Sequence, residues 1–124
     1  MTTPMREPGP DHPIAIAPQP GRVRVRLDGM VVAETTRALA LAEARYPAVL
    51  YVPREDARWE AFRPNPRSTH CPYKGNASYY DLVVNGETRS VAVWSYEAPY
   101  PAVAAIAGHL AFYPDRVDAI EVTP

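Results

Sequence analysis

The sequence predicts a single, mainly β domain: an antiparallel β-barrel or sandwich of short strands with one or two short helices. Three observations predict it. Apolar and polar residues alternate at period two in several segments, the pattern of half-buried strands. The dipeptides Asp28-Gly29 and Asn85-Gly86 fall between such segments and are strong hairpin signals, because a type I′ turn needs φ > 0 at both positions. Fifteen prolines are spread through 124 residues. Proline lacks an N–H and fixes φ, which rules out long helices and central-strand positions where it occurs.

The elements follow in order. Residues 1–10 are Pro-rich and expected to be mobile; residues 11–124 form the β-rich domain. From Asp11 to Ala17 the chain is read as extended along the body, since Ile14 and Ile16 alternate. Val23, Val25 and Leu27 alternate with Arg22, Arg24 and Arg26 as a strand. Met30 to Glu34 returns after the Asp28-Gly29 turn, with Leu27 expected opposite Met30 and Val25 opposite Val32. Thr35 to Ala44 fits either a helix, by its alanines, or a strand, by Leu39 and Leu41. Ala48 to Val52 reads as a buried strand stopped by Pro53. Asp56 to Phe62 has helical spacing that brings Trp59 and Phe62 to one side, and Pro64 and Pro66 should end it. Arg67 to Asn76 reads as an irregular polar loop. Ala77 to Val84 and Glu87 to Tyr96 form the second hairpin. Pro101 suits a first helical turn and Gly108 its end, with Val103, Ile106 and Leu110 facing inward. Leu110 to Tyr113 and Val117 to Val122 are two last short strands.

Size and charge narrow the function classes. A chain of 124 residues can bury a core without a metal or disulfide. Its net charge of -1, from 13 basic and 14 acidic residues, offers no bulk attraction to nucleic acid or anionic lipid, so neither is expected as a partner. Cys71 is the single cysteine. It excludes an internal disulfide and a multi-cysteine zinc cage, and it suits a reducing compartment. The N-terminus has no apolar signal-peptide run, and no stretch approaches the ~20 apolar residues of a span. The expected location is cytoplasmic. No metal or cofactor is expected; a small molecule and a second copy in a homodimer are the partners left open.

Chemistry concentrates in two places. Unbroken pairing across Asn85-Gly86 would set Asp81 opposite Ser90, Tyr79 opposite Ala92 and Ala77 opposite Trp94. One face then carries Tyr80, Leu82, Val84, Val91 and Val93 as core. The other carries Ala77, Tyr79, Asp81 and Val83 with Thr88, Ser90, Ala92, Trp94 and Tyr96: small residues as a floor, aromatic and polar groups as a rim. The plainer alternative is an outer face whose tyrosines pack under a loop, each with a hydrogen-bonded tip. Just before this strand, His70-Cys71-Pro72-Tyr73-Lys74-Gly75 places an imidazole, a thiol and an amine together. Lys74 could act as base, nucleophile or fixed positive charge, and Gly75 would let a ligand approach the backbone. The plain alternatives are a solvated Lys74, a small buried Cys71 and an exposed His70. The spacing matches no P-loop, redox CxxC or zinc motif.

Three acidic residues complete the set. Asp56 follows Pro53 at a predicted helix start, where capping is its ordinary role. Glu43 lies in an apolar stretch and suits a buried salt bridge to an arginine or lysine. Glu55 stands beside Asp56.

The runs RVRVRLDGMVVAETTRALALAEARYPAVLYVPREDARWEAF, STHCPYKGNASYYDLVV and VAVWSYEAPYPAVAAIAGHLAFYPDRVDAIEV resemble the bacterial and fungal family called domain of unknown function 427, which also carries a nucleotidyltransferase label. The specific patterns are TxCPYKGxAxYY, at Thr69 to Tyr80, and WxYExPYP, at Trp94 to Pro101. The resemblance covers roughly residues 11–122. It implies a compact β-rich domain with little helix. Its motif residues fall on Tyr51, Pro53, Asp56, Cys71, Lys74, Gly75, Tyr79, Trp94, Tyr96, Pro99 and Phe112. Ala57 departs from it, standing where a larger aliphatic residue is usual. Nucleotidyl transfer normally needs carboxylates holding magnesium beside the triphosphate. Asp56 and Asp81 are the only suitable ones near this site, without a glycine-rich phosphate loop.

Three functions are therefore weighed. The first is a small-molecule binding domain whose pocket is lined by Tyr51, Tyr79, Trp94 and Tyr96, with Cys71, Asp56 and Asp81 nearby and Lys74 fixing an anionic group. The second is an enzyme of nucleotidyl or other group transfer using Lys74 or Cys71. The third is a protein-interaction module presenting Tyr96, Tyr100 and Tyr113.

Overall fold

The computed structural model describes residues 4–124. Among the described residues ten strands form three antiparallel sheets. The first sheet contains β1 (Ile14–Pro18), β4 (Leu39–Glu43) and β5 (Val49–Tyr51), in that order. The second contains β10 (Ala119–Thr123), β2 (Arg22–Leu27) and β3 (Met30–Thr35). The third runs β6 (Phe62–Cys71), β7 (Gly75–Val84), β8 (Glu87–Ser95) and β9 (Ala111–Phe112). The short helices are four 3-10 turns, at Arg54–Asp56, Trp59–Ala61, Pro101–Ile106 and Pro114–Arg116. The mainly β expectation holds. Among the described residues no helix is long and apolar enough to cross a membrane.

Local turn chemistry builds both hairpins as expected. Asp28 and Gly29 lie at φ 50 and 79, and Asn85 and Gly86 at φ 53 and 78, the left-handed pairs a type I′ turn requires. Val23, Val25 and Leu27 are buried while Arg24 and Arg26 face out and pair with Glu34 and Glu121. The arginine stripe is thus a solvated ion-paired face, and such pairs contribute little stability. A bulge between Val25 and Arg26 shifts the expected register: Val25 opposes Ala33, not Val32, and both Val32 and Ala33 become buried.

The ambiguous segment after Thr35 is a strand, β4, held by β1 on one side and β5 on the other. Partners on both flanks override the alanine helix propensity. The region around Pro64 and Pro66 also departs from expectation. It is neither a helix end nor a loop; β6 spans Phe62–Cys71. Prolines are tolerated there because β6 is an edge strand, and Pro66 falls in a bulge between Asn65 and Ser68. Trp59 and Phe62 do meet, ring to ring at 4.9 Å, but through a 3-10 turn that hands Phe62 to the strand. Val103, Ile106 and Leu110 are fully buried as expected, and Gly108 sits at φ 69 beyond the turn.

Two hydrophobic clusters result. The larger joins Val25, Leu27 and Val32 to Leu82, Val84, Val93 and Phe112. The second joins Leu41 and Tyr51 to Ala77, Tyr79, Tyr96, Val103 and Ile106. Strand β7 therefore feeds a core on each of its faces. Of the segment 1–10 read as mobile, residues 1–3 lie outside the described residues. Arg6 donates its N–H to Pro72 O at 2.8 Å, and Gly9 bridges His12.

Candidate functional site

The Cys71–Gly75 loop joins β6 to β7 and is tied down from both sides. Arg6 N–H reaches Pro72 O, and Tyr100 N–H reaches Lys74 O at 3.1 Å. Gly75 adopts φ +107, a conformation that L side chains rarely adopt. The chain so placed buries Lys74, whose amine donates to Glu43 Oε1. The other Glu43 oxygen lies 2.7 Å from His12 Nε2, and the His12 ring stacks on Tyr73 at 3.9 Å. The Lys74 and Glu43 side chains are only 11% and 15% exposed. Burial works to raise the Glu43 carboxyl, but hydrogen bonds from Lys74 and His12 outweigh it and hold it below the ordinary range. The ammonium also lies 5.8 Å from the Tyr96 ring centroid. Lys74 is therefore a paired group, and the salt bridge expected of Glu43 is present. Its partner comes from 31 positions away.

The face expected to open as a hollow is filled. Ala77, Tyr79, Tyr51 and Tyr96 are buried in the second core. Burial raises the Tyr51 phenol to about 12 and pushes Tyr96 up as well, so both stay neutral donors at ordinary pH. Tyr79 exchanges a hydrogen bond with Thr69 Oγ1 at 2.8 Å, the tip-bonded core tyrosine that was the plainer alternative. Cys71 is half-buried against the same core. His70 turns away to Asn76 Oδ1 at 2.7 Å.

The register of the second hairpin differs from an unbroken pairing. Val84 opposes Glu87, but Tyr80 opposes Val93 and Tyr79 opposes Trp94. A bulge at Ser90, Val91 and Ala92 absorbs the difference, with Val91 at φ 53. Asp81 is the cause: its Oδ1 accepts the Val91 N–H at 2.8 Å and the Asn65 Nδ2 at 2.9 Å. Asp81 is a backbone anchor, not part of a pocket wall. Asp56 likewise is no helix cap. It accepts from Thr35 Oγ1 at 2.7 Å and from Arg37 at 3.3 Å, tying β3 to the turn after Pro53.

Two of the expected residues reach open space: Asp56 lines an open surface cleft beside Glu55 and Arg58, and Trp94 lines the site with the more apolar walls. That site is a partly open apolar cavity of about 170 Å3 where the three sheets meet. Val23, Val25 and Ile120 come from the second sheet, Val49 and Leu50 from the first, and Phe112 from β9. The indole N–H donates to Tyr51 Oη at 3.3 Å, and its ring lies 4.5 Å from that of Tyr113. Neither Lys74 nor Asp81 lines this cavity. The expected convergence of Lys74, Asp81 and Trp94 is absent: each serves a different neighbourhood. Phe112 entered the sequence reading only through its motif. Val49 and Ile120 are legible as strand residues but not as lining of a common cavity, and His12 carries no signal, since the three reach their neighbours through contacts between distant segments. Among the described residues no group of three or more His, Cys, Asp or Glu is placed to hold a metal ion.

Two comparisons bear on this arrangement. A family model described as "Domain of unknown function (DUF427)", with the short name NTP_transf_9, matches residues 15–123. No curated protein matches the chain.

Proposed function

From the premise that this chain belongs to the domain of unknown function 427 family, we propose that it is a binding domain that takes a small, mainly apolar group, of about one aromatic ring, against Trp94. One observation carries this reading: the apolar cavity of about 170 Å3 at the junction of the three sheets. Protein interiors pack with few voids larger than a water molecule. A dry apolar cavity of about 150 Å3 accepts benzene or xenon. A drug-sized ligand needs ~300 Å3 or more, which sets the size of the group. The Trp94 ring stands edge-on to Tyr51, at 6.3 Å and 88°, and its N–H is engaged by Tyr51 Oη, so recognition would rest on shape.

The pairing of Lys74 favours binding over group transfer. Its amine is held by Glu43 and buried, and a nucleophilic lysine must be free to reach substrate.

Titration of the 15N-labelled protein with benzene and indole tests the reading. Saturable shifts of the Trp94 indole N–H and of the Val49 and Ile120 amides are expected. Val49→Phe fills the cavity and should abolish them with the fold retained, while xenon under pressure gives the same map on the unsubstituted protein. No saturable shift with any of the three probes overturns the proposal.

A further inference from the structure

We infer that the surface cleft formed by the two β-bulges of the third sheet, lined by Arg67, Arg116, Tyr113 and Val91, binds an oxyanion: a carboxylate, sulfate or phosphate group. The inference stands apart from the apolar cavity.

Asp81 organises the cleft from the middle strand. One of its oxygens accepts from Val91 N–H on β8 and from Asn65 Nδ2 on β6. Asn65 Oδ1 in turn accepts the Arg67 N–H at 2.8 Å. A single carboxylate thereby shapes a bulge on each flanking strand, Asn65–Ser68 on one side and Ser90–Ala92 on the other. Both bulges deliver a residue to the same cleft, Arg67 from the first and Val91 from the second. The 3-10 turn at Pro114–Arg116 supplies Arg116 and Asp115, and Tyr113 forms the floor.

Two features set this cleft apart from a solvated surface. Val91 is a β-branched residue at φ 53, a conformation that is strained for such a side chain and that tends to occur where function demands it. Second, the guanidiniums of Arg67 and Arg116 have no ion-pair or hydrogen-bond partner among the described residues, and the two line one cleft; Arg45 is likewise unpaired but stands outside it, whereas Arg22, Arg24, Arg26 and Arg37 are all paired. Arg67 is placed by its ring contact instead, 5.4 Å above Tyr79. With Asp115 in the same cleft, the three charges leave one net positive charge. Burial and a hydrogen bond with Tyr79 raise the Tyr113 phenol to about 12, so it stays neutral beside the two guanidiniums. Guanidinium groups pair strongly with tetrahedral and planar oxyanions, and this cleft is lined by two of them.

The test is a titration of the 15N-labelled protein with inorganic phosphate, against chloride at matched ionic strength. Saturable shifts confined to Arg67, Val91, Tyr113 and Arg116 are expected with phosphate only. Arg67→Ala and Arg116→Ala, both at exposed positions, should each weaken binding at least about fivefold, and Asp115→Asn should tighten it. Asp81 is a positioning residue: Asp81→Asn keeps an accepting oxygen and retains binding, whereas Asp81→Ala loses it. A parallel titration with phenyl phosphate separates the sources of the oxyanion. Added shifts at the Trp94 indole mean one ligand spans cleft and cavity, and cleft shifts alone mean a free oxyanion; either supports the site. Shifts that chloride reproduces, or binding indifferent to both arginine substitutions, overturn it.

Discussion

Replacing Glu43 with glutamine separates a structural Lys74 from a chemical one. Glu43→Gln preserves shape but leaves the Lys74 ammonium buried beside a neutral amide. Removing one partner of a buried ion pair costs about 3–5 kcal/mol, much of it from the charge left behind. Because the two side chains keep 11% and 15% exposure, the lower end applies, about 3 kcal/mol. For a domain of this size that is a drop in Tm of roughly 9–15 °C. Lys74→Met should cost a similar amount, and the double variant Glu43→Gln/Lys74→Met should recover a large part of the loss, since a neutral pair strands no charge. The pH dependence has a definite sign. The Glu43 carboxyl is held below its unfolded value of about 4.3. Its stabilisation is therefore complete above that pH and is lost as pH falls through the lower folded-state value. Glu43→Gln should flatten that acid limb. Urea and thermal unfolding of the four proteins between pH 3 and 7 decide the matter. Single substitutions that each cost less than about 0.5 kcal/mol and add without coupling would show a solvated pair, and would return the Lys74 amine to ligand or substrate.

Other substitutions test the framework around the sites. Gly21→Ala would drive a Cβ into the Thr123 carbonyl oxygen at φ +88, so it should cost at least about 2 kcal/mol and speed amide exchange along β10. Gly29→Ala meets nothing within 4 Å and should cost only about 1 kcal/mol, the penalty of its positive φ; equal losses in the two variants would refute the contrast. Ser95 carries a fully buried hydroxyl with no partner among the described residues, so Ser95→Ala should leave Tm unchanged or raise it, and a clear drop in Tm would reveal an unseen partner. Leu82→Ala, at the centre of the larger core with no exposure, should cost about 2–5 kcal/mol in urea unfolding.

Much of the framework was legible in the residues alone. The two I′ turns, the alternation from Val23 to Leu27, the inward set Val103, Ile106 and Leu110, and the scarcity of helix all follow from interactions within a few positions. Turn dihedrals, period-two burial and the missing proline N–H act locally, so a linear reading captures them. Glu43 was legible too, as a charge in an apolar stretch that needs a cation, although not which cation.

Tertiary pairing decided the rest. Pro64 and Pro66 read as stops, yet they sit inside β6 because that strand is at an edge. The hairpin faces were assigned for an unbroken ladder, and one carboxylate, Asp81, inserted the bulge that changed the pairing of Tyr79 and Trp94. Whether the aromatic face met solvent or another layer depended on Leu41 and Tyr51 arriving from the first sheet. Each of these outcomes depends on an atom supplied from a distant part of the chain. Periodicity reports which residues seek burial; which neighbours bury them, and where a gap is left, is settled only when the sheets pack.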